Sequence, residues 1–210
     1  MRSSHLFLAG AFLVAATTLA AFTAAPPPSD ALAIPAGTYM IDKDHTEIGF
    51  RVRHLGISSV SGQFRDYDVS LAVEPDAVNS LQTNATIQTG SIDTRNEKRD
   101  EHLRSEDFFH AEAHPAITFR STGVRNVRGN DFELLGDLTI RDVTRPVVLD
   151  AELIGTARGP MGNERVAFSA ETTINREDYG LTWNRALEAG GVLVGKDVDI
   201  RLDVQAIRQN

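Results

Sequence analysis

A two-residue hydrophobic period recurs in eight separate runs of this chain, and a pleated strand with one dry face and one wet face has that period. The clearest run has Ile48, Phe50 and Val52 alternating with Glu47, Gly49, Arg51 and Arg53. The same rule places Val69, Leu71 and Val73 on one face, then Leu81, Ala85 and Ile87, then Ile117 and Phe119. Four more runs follow: Phe132 to Ile140, Val147 to Leu153, Val166 to Ile174 and Val198 to Val204. Residues that favour reversal separate several of them: Glu74-Pro75-Asp76, Arg128-Gly129-Asn130-Asp131, Arg145-Pro146, and Gly155 to Asn163. Successive antiparallel pairing is the simplest way to connect eight such strands. A sandwich and a closed barrel both satisfy this pattern, and closure has the merit of removing exposed edges. The strand runs contain small residues, Ala85, Gly136, Ala151, Ala170 and Ala206, so a barrel built from them has room for a hollow interior.

One segment departs from the period. Between Arg95 and Arg104 there are seven charged residues and a single apolar one, Leu103, and Thr94-x-x-Glu97 has the spacing of a capping box. This predicts a short, exposed, charged helix after the third strand. Phe108 and Phe109 follow it and require burial, so the helix is expected to act as a flap anchored by that aromatic pair, with Pro115 ending the excursion.

The first 33 residues read as an address rather than as part of the fold. Arg2 precedes a run from Leu6 to Phe22 without a charged residue, and Pro26, Pro27 and Pro28 stop any helix there. Small-x-small sites predict cleavage after Ala33, with Ala20 as the alternative, and residues 34–210 form one domain. An uncleaved membrane anchor is the alternative, although spanning a bilayer takes about 20 apolar residues and this run is shorter. The segment carries one base, Arg2, and one acid, Asp30, so the net charge of -8 belongs to the domain. An acidic surface without a basic run makes nucleic acid a poor partner. The chain has no cysteine, which excludes disulfides, thiolate metal sites and a cysteine nucleophile.

The remaining motifs give little chemistry. His45 and His54 are nine positions apart and would face opposite sides of one strand. His54 shares the face of Ile48, Phe50 and Val52, where its ring would serve either a ligand head group at the barrel mouth or a structural hydrogen bond. His110-Ala111-Glu112-Ala113-His114 lacks the glutamate position of a zinc helix, and Pro115 turns His114 out of helical geometry. Arg99 and Asp100 read as a solvated face or, alternatively, a phosphate clamp. Arg176, beside Asp178 and Tyr179, reads first as a structural ion pair. No phosphate loop, nucleophile elbow or distinguished carboxylate pair is present, so no catalytic residue, metal or cofactor is expected.

Several motifs in order resemble the YceI-like polyisoprenoid-binding family. They are Tyr39-x-Ile41-Asp42-x-x-His45-Thr46-x-Ile48-x-Phe50-x-Val52-x-His54-Leu55-Gly56, Gly62-x-Phe64, Ser91-Ile92-Asp93-Thr94, Arg99-Asp100-x-His102-Leu103, Phe108-Phe109 and Pro115-x-Ile117-x-Phe119. Gly136-x-Leu138-Thr139-Ile140-x-x-Val143-Thr144-x-Pro146-Val147 and Asn175-Arg176-x-x-Tyr179-Gly180 complete the set, which spans nearly all of residues 37 to 207. Asp142, where the family often has Gly, and Thr46, where Ser is usual, depart from it. The resemblance implies an all-β fold, an eight-stranded antiparallel lipocalin-like barrel with one short helix, that holds an isoprenoid, quinone-like or fatty amphiphile and performs no catalysis. It implies a periplasmic carrier. A barrel enzyme acting on a lipid, such as an isomerase or cyclase, and a stress or interaction protein with an incidental pocket are the alternatives. Transient membrane contact and a homodimer are compatible with it. The expected ligand-contacting set is Ile48, Phe50, Val52, His54, Phe64, Phe108, Phe109, Phe119, Leu138, Phe168, Tyr179 and Trp183, with ordinary core packing the competing role for the aromatics.

Overall fold

The computed structural model describes residues 33–74, 78–188 and 190–209. The expected leader, apart from Ala33, and the turn residues Pro75 and Asp76 lie outside the described residues. Eleven strand segments run in order: β1 (Gly37–Ile41), β2 (Glu47–His54), β3 (Ser58–Phe64), β4 (Tyr67–Val73), β5 (Gln82–Gln88), β6 (Ile92–Asp93), β7 (Ala116–Arg128), β8 (Asp131–Ile140), β9 (Val143–Arg158), β10 (Glu164–Asn175) and β11 (Val194–Arg208). One helix, α1 (Glu97–Arg104), lies between β6 and β7.

The segments make eight staves, because three staves are each broken once. β1 and β2 lie end to end along β11, which pairs with both (Ile41 with Ala206, Ile48 with Leu202). β3 pairs with β2 and with β6, whereas β4 pairs with β1 and with β5. From β5 onward each strand pairs antiparallel with the next through β7, β8, β9, β10 and β11, so the ring closes as an eight-stranded antiparallel barrel. The eight alternating runs fall on β2, β4, β5 and β7 to β11. β1, β3 and β6 are additions. β3 reads Ser-Ser-Val-Ser-Gly-Gln-Phe, too rich in small polar residues to announce itself, and β6 is two residues long.

Side chains bridge each break where the ladder stops. At Asp42–Thr46 the Asp42 carboxylate accepts from the Asp44 N–H (3.2 Å), from Gln205 Nε2 (3.0 Å) and from the Arg165 guanidinium, and it meets His45 Nδ1 at 3.1 Å. The Thr46 hydroxyl takes the Gln205 N–H, and the Tyr67 hydroxyl donates to the Thr46 carbonyl at 2.6 Å. His45 therefore sits on a 3₁₀ turn and not in a strand with His54, and the two rings serve different neighbours. At the break between β5 and β6 the buried Thr89 donates its N–H to Pro115 and its hydroxyl to the His114 carbonyl.

Two expected turns move. β8 and β9 are joined at Arg141–Asp142, with Arg141 at a left-handed φ of 56°, so Arg145-Pro146 lies inside β9. Pro146 is tolerated there because β9 pairs with β10 only from Asp150 onward, leaving residues 143–149 with a single strand neighbour. Gly155 also lies inside β9, opposite a bulge at Ala167/Phe168, and the true turn is Gly159–Asn163.

The two ends of the barrel differ. At the base, near the β7–β8 and β9–β10 turns, the interior is packed solid by Ile34, Tyr39, Leu153, Val166 and Ala206, with Tyr39, Leu153 and Ala206 fully buried. The Tyr39 hydroxyl is satisfied there by the Pro35 carbonyl at 2.6 Å. At the rim, the β2–β3 hairpin, the β8–β9 turn, α1 and residues 176–188 and 190–193 surround an interior that stays open.

Candidate functional site

The open half is a cavity of about 230 Å³, measured as space open to the centre of a water molecule. Its wall is apolar except at Thr83, Ser169, Thr172 and Arg176, and it exposes almost no polar atom. The inward positions of every stave contribute, which follows from the two-residue period once the ring is closed.

Small residues keep the lumen open. Ala85, Ala151 and Ala170 line it, whereas Gly136 and Ala206 do not. Gly136 acts indirectly. The Phe119 ring lies against it, and a Cβ at that position would run into the ring and into the Arg120 carbonyl. Gly62 holds the Phe50 ring in the same way, across the β2–β3 pair. Both phenylalanines thus lie flat on bare backbone instead of filling the lumen.

Nine of the twelve sequence-expected residues come together on the wall: Ile48, Phe50, Val52, Phe64, Phe108, Phe109, Phe119, Leu138 and Phe168. Three do not. His54 shares the inward parity of β2 but is half-buried at the strand end, beyond the cavity. Tyr179 is buried behind the wall, where burial and the Asp178 carboxylate push its hydroxyl up to about 12. Trp183 packs outside, on Phe108.

The rim is roofed by α1 and the residues after it. Asn96 caps the helix by accepting the Arg99 N–H at 3.1 Å, so the cap is two residues beyond Thr94. Thr94 is instead buried, and its hydroxyl donates to Asp100 Oδ1 at 2.5 Å and accepts from Arg99 Nε at 2.7 Å. Asp100 is 6% exposed, and so Arg99 and Asp100 form neither a solvated face nor an open phosphate clamp; they tie the helix to its own entry. Arg104 fixes the helix to the barrel through the carbonyls of Gly90 (2.9 Å) and Ile92 (3.1 Å). The one apolar helix residue, Leu103, faces the cavity with Phe108 and Phe109. The lid is thus hinged by polar bonds on the β6 side. On the far side it is held by ring contacts: Phe108 on Trp183 (5.3 Å) and His102 edge-on to both (5.1 and 4.7 Å).

Arg176 corrects another expectation. Among the described residues it pairs with no carboxylate; its guanidinium donates to the carbonyls of Gly195 (2.8 Å), Leu181 and Val194, pinning the 176–181 turn to the start of β11. Burial pushes its pKa down, and Glu177 opposes that shift. Its sequence signal, a lone Arg in a polar turn, gave no hint of burial. His110 and His114, expected apart, are brought within 5.7 Å by a non-helical turn. Among the described residues no group of three metal-ligating side chains forms.

The YceI-like domain model matches residues 39–206. A UPF0312 protein of Staphylococcus epidermidis is 42% identical over 161 residues, covering 76% of this chain and 91% of its own. The crystal structure of a Campylobacter jejuni YceI protein is similar at a TM-score of 0.65 and 33% identity, covering 82% of this chain and 98% of that one. A domain from Saccharophagus degradans described as polyisoprenoid-binding shares the fold, with a TM-score of 0.63 at 10% identity over 83% of this chain and all of its own.

Proposed function

The chain belongs to the YceI-like family, and from that premise we propose that it is a periplasmic carrier holding the apolar tail of a polyisoprenoid or similar long-chain amphiphile inside the barrel. The observation that carries this reading is the cavity, enclosed by a closed sheet and a hinged lid, with a wall almost free of polar atoms. Such a space solvates hydrocarbon and gives a charged or hydrogen-bonding group almost nothing to pair with. The tail therefore goes in, and the head group stays at the rim. Because the ligand leaves a membrane and not water, transfer of the tail is nearly balanced, and cavity shape and rim contacts set selectivity. The family is associated with binding rather than with catalysis. The similar fold of the polyisoprenoid-binding domain supports the ligand class, quinones and fatty chains being nearby members of it. The compartment rests on the uncharged run from Leu6 to Phe22 behind Arg2.

Purification from native periplasm, organic extraction and mass spectrometry test this reading. A stoichiometric long-chain lipid is the expected result; recovery of none, even after incubation with membranes, overturns it. Turnover of the recovered lipid would make the protein an enzyme, and a partner copurifying with an empty barrel would make it an interaction protein. Phe50→Asp and Phe168→Asp each place a charge on the cavity wall and should abolish retention of the lipid.

A further inference from the structure

We propose that the tip of the β2–β3 hairpin and the adjoining residues 185–188 and 190–193 form a lip that docks on an anionic lipid bilayer and brings the lid over the membrane. This rests on the carrier reading above. Large apolar side chains are exposed at this tip: Ile57 is 84% exposed, Val192 42% and Leu55 39%. They belong to one hydrogen-bonded unit. The Leu55 N–H donates to the Leu193 carbonyl (2.9 Å), the Leu193 N–H to the Arg185 carbonyl (2.9 Å), and Ala186 bridges to Val192. The other exposed large apolar residues, Met40, Val127, Ile154 and Met161, are distributed over β1, β7, β9 and the β9–β10 turn, toward the base.

Backbone strain marks the same place. Leu55 holds a left-handed φ of 56°, followed by Gly56 at 72°. That conformation is unfavourable for leucine, and the exposed side chain recovers little by packing inside the barrel.

Charge selects the occupant. Arg53 and Arg185 are exposed beside the lip, and neither has a carboxylate within ion-pair distance among the described residues. Lys196 is committed to Glu177 at 2.8 Å, and Glu188 is the exposed acid of the loop. The net charge of -8 opposes an anionic surface, but two unpaired arginines flanking three apolar side chains make this lip the local exception and fit an anionic bilayer rather than a neutral one. The lip also leads to the lid. Two residues before Arg185 stands Trp183, whose ring closes on Phe108, a cavity-wall residue. A lip seated among head groups thus places the unhinged side of the lid where a lipid tail emerges.

The test is flotation with vesicles of phosphatidylglycerol in phosphatidylethanolamine, and with phosphatidylcholine vesicles. Loading of a fluorescent polyprenol is followed separately from vesicles and from detergent micelles. The wild-type protein should float with the anionic vesicles and be released by salt. Ile57→Asp with Val192→Asp should reduce flotation and the rate of loading from vesicles by about tenfold, leaving loading from micelles and the melting temperature unchanged. Arg53→Gln with Arg185→Gln should remove the preference for anionic over neutral vesicles. Wild-type protein that retains polyprenol from micelles but never floats overturns the lip and leaves the carrier reading standing. Protein that floats but retains no polyprenol from either source overturns the carrier reading and not the lip. A wild-type dimer that the Ile57 and Val192 substitutions convert to monomer, with no vesicle binding, assigns the lip to a second copy instead and overturns the proposal.

Discussion

The base and the rim of this barrel are built from the same alternating staves and come to opposite results. At the base, β1 pairs with both β4 and β11, and the interior is filled by residues as completely buried as Tyr39, Leu153 and Ala206. At the rim, β9 and β10 part company above Asp150, a 3₁₀ turn at Arg176–Tyr179 covers the gap, and the walls enclose the cavity. Stability and capacity are thus separated along one axis. The packed half holds the ring shut, which frees the other half to carry the β9–β10 gap, a lid and a void that a uniformly packed core would not tolerate.

The largest expected effects test that division directly. Leu153→Ala at the base should cost about 2–5 kcal/mol, the range for emptying a packed site. Leu138→Ala on the cavity wall should cost less than about 2 kcal/mol, because one side of that residue already faces space and has fewer contacts to lose. Urea denaturation of both lipid-free proteins decides the matter; equal losses would mean that the two halves are packed alike. Next in size is Gly136→Ala. The new methyl must displace the Phe119 ring toward the lumen, at about 1–3 kcal/mol for overpacking, with weakened lipid retention. Gly123→Ala, whose added methyl would meet nothing within 4 Å, is the neutral control.

The two halves are not equally legible in the sequence. The base and walls are readable because strict alternation places Leu149, Ala151 and Leu153, or Val166 and Phe168, inside by parity alone. Nine wall residues follow from that rule together with the resemblance. The rim obeys local rules that alternation does not see. Thr94 has the spacing of a cap, yet Asp100 recruits its hydroxyl, and Asn96 takes the cap instead. A charged helix reads as solvated until Asp100 and Leu103 are seen to face the protein. Arg176 reads as half of an ion pair until backbone carbonyls of a distant strand supply its partners. Gly62 and Gly136 read as gaps in a pattern, and their use is visible only from the rings across the sheet.

Acid should weaken the β1–β2 break, and alkali should act most strongly at the rim, because burial raises Tyr39 and Tyr67 as well but Tyr179 carries the large shift. Burial alone would raise the Asp42 carboxyl, but hydrogen bonds from Arg165, Gln205 and His45 outweigh it and hold the group below the usual carboxylate range. Its stabilising contribution is present above the unfolded value of about 3.9 and is lost as pH falls through the lower folded value. Acid should therefore loosen the β1–β2 break next to the base, and Asp42→Asn should remove that component. Tyr179 behaves in the reverse sense at the rim. With its folded value raised to about 12, its contribution is complete below about pH 10 and declines as pH climbs toward that value. Trp183, the single tryptophan, reports the rim by fluorescence, and far-UV circular dichroism reports the sheet. Alkali should move the first signal before the second in wild-type protein and not in Tyr179→Phe. Coincident signals would mean that the rim has no independent stability.

The smallest expected effect lies where the two halves meet. Thr83 points inward from the start of β5 and lines the cavity; its N–H donates to the Ser121 hydroxyl at 2.8 Å, but its own buried hydroxyl has no partner. Leaving such a group unpaired carries a desolvation penalty that an isosteric methyl does not. Thr83→Val should therefore stabilise the lipid-free protein by about 1 kcal/mol, with lipid retention unchanged. The opposite sign would be more instructive than a null result. A loss of stability would mean that the hydroxyl turns out of its buried position to meet water in the lipid-free cavity. The hollow half would then be wet at its floor, and a bound tail would have to displace that water where packing begins.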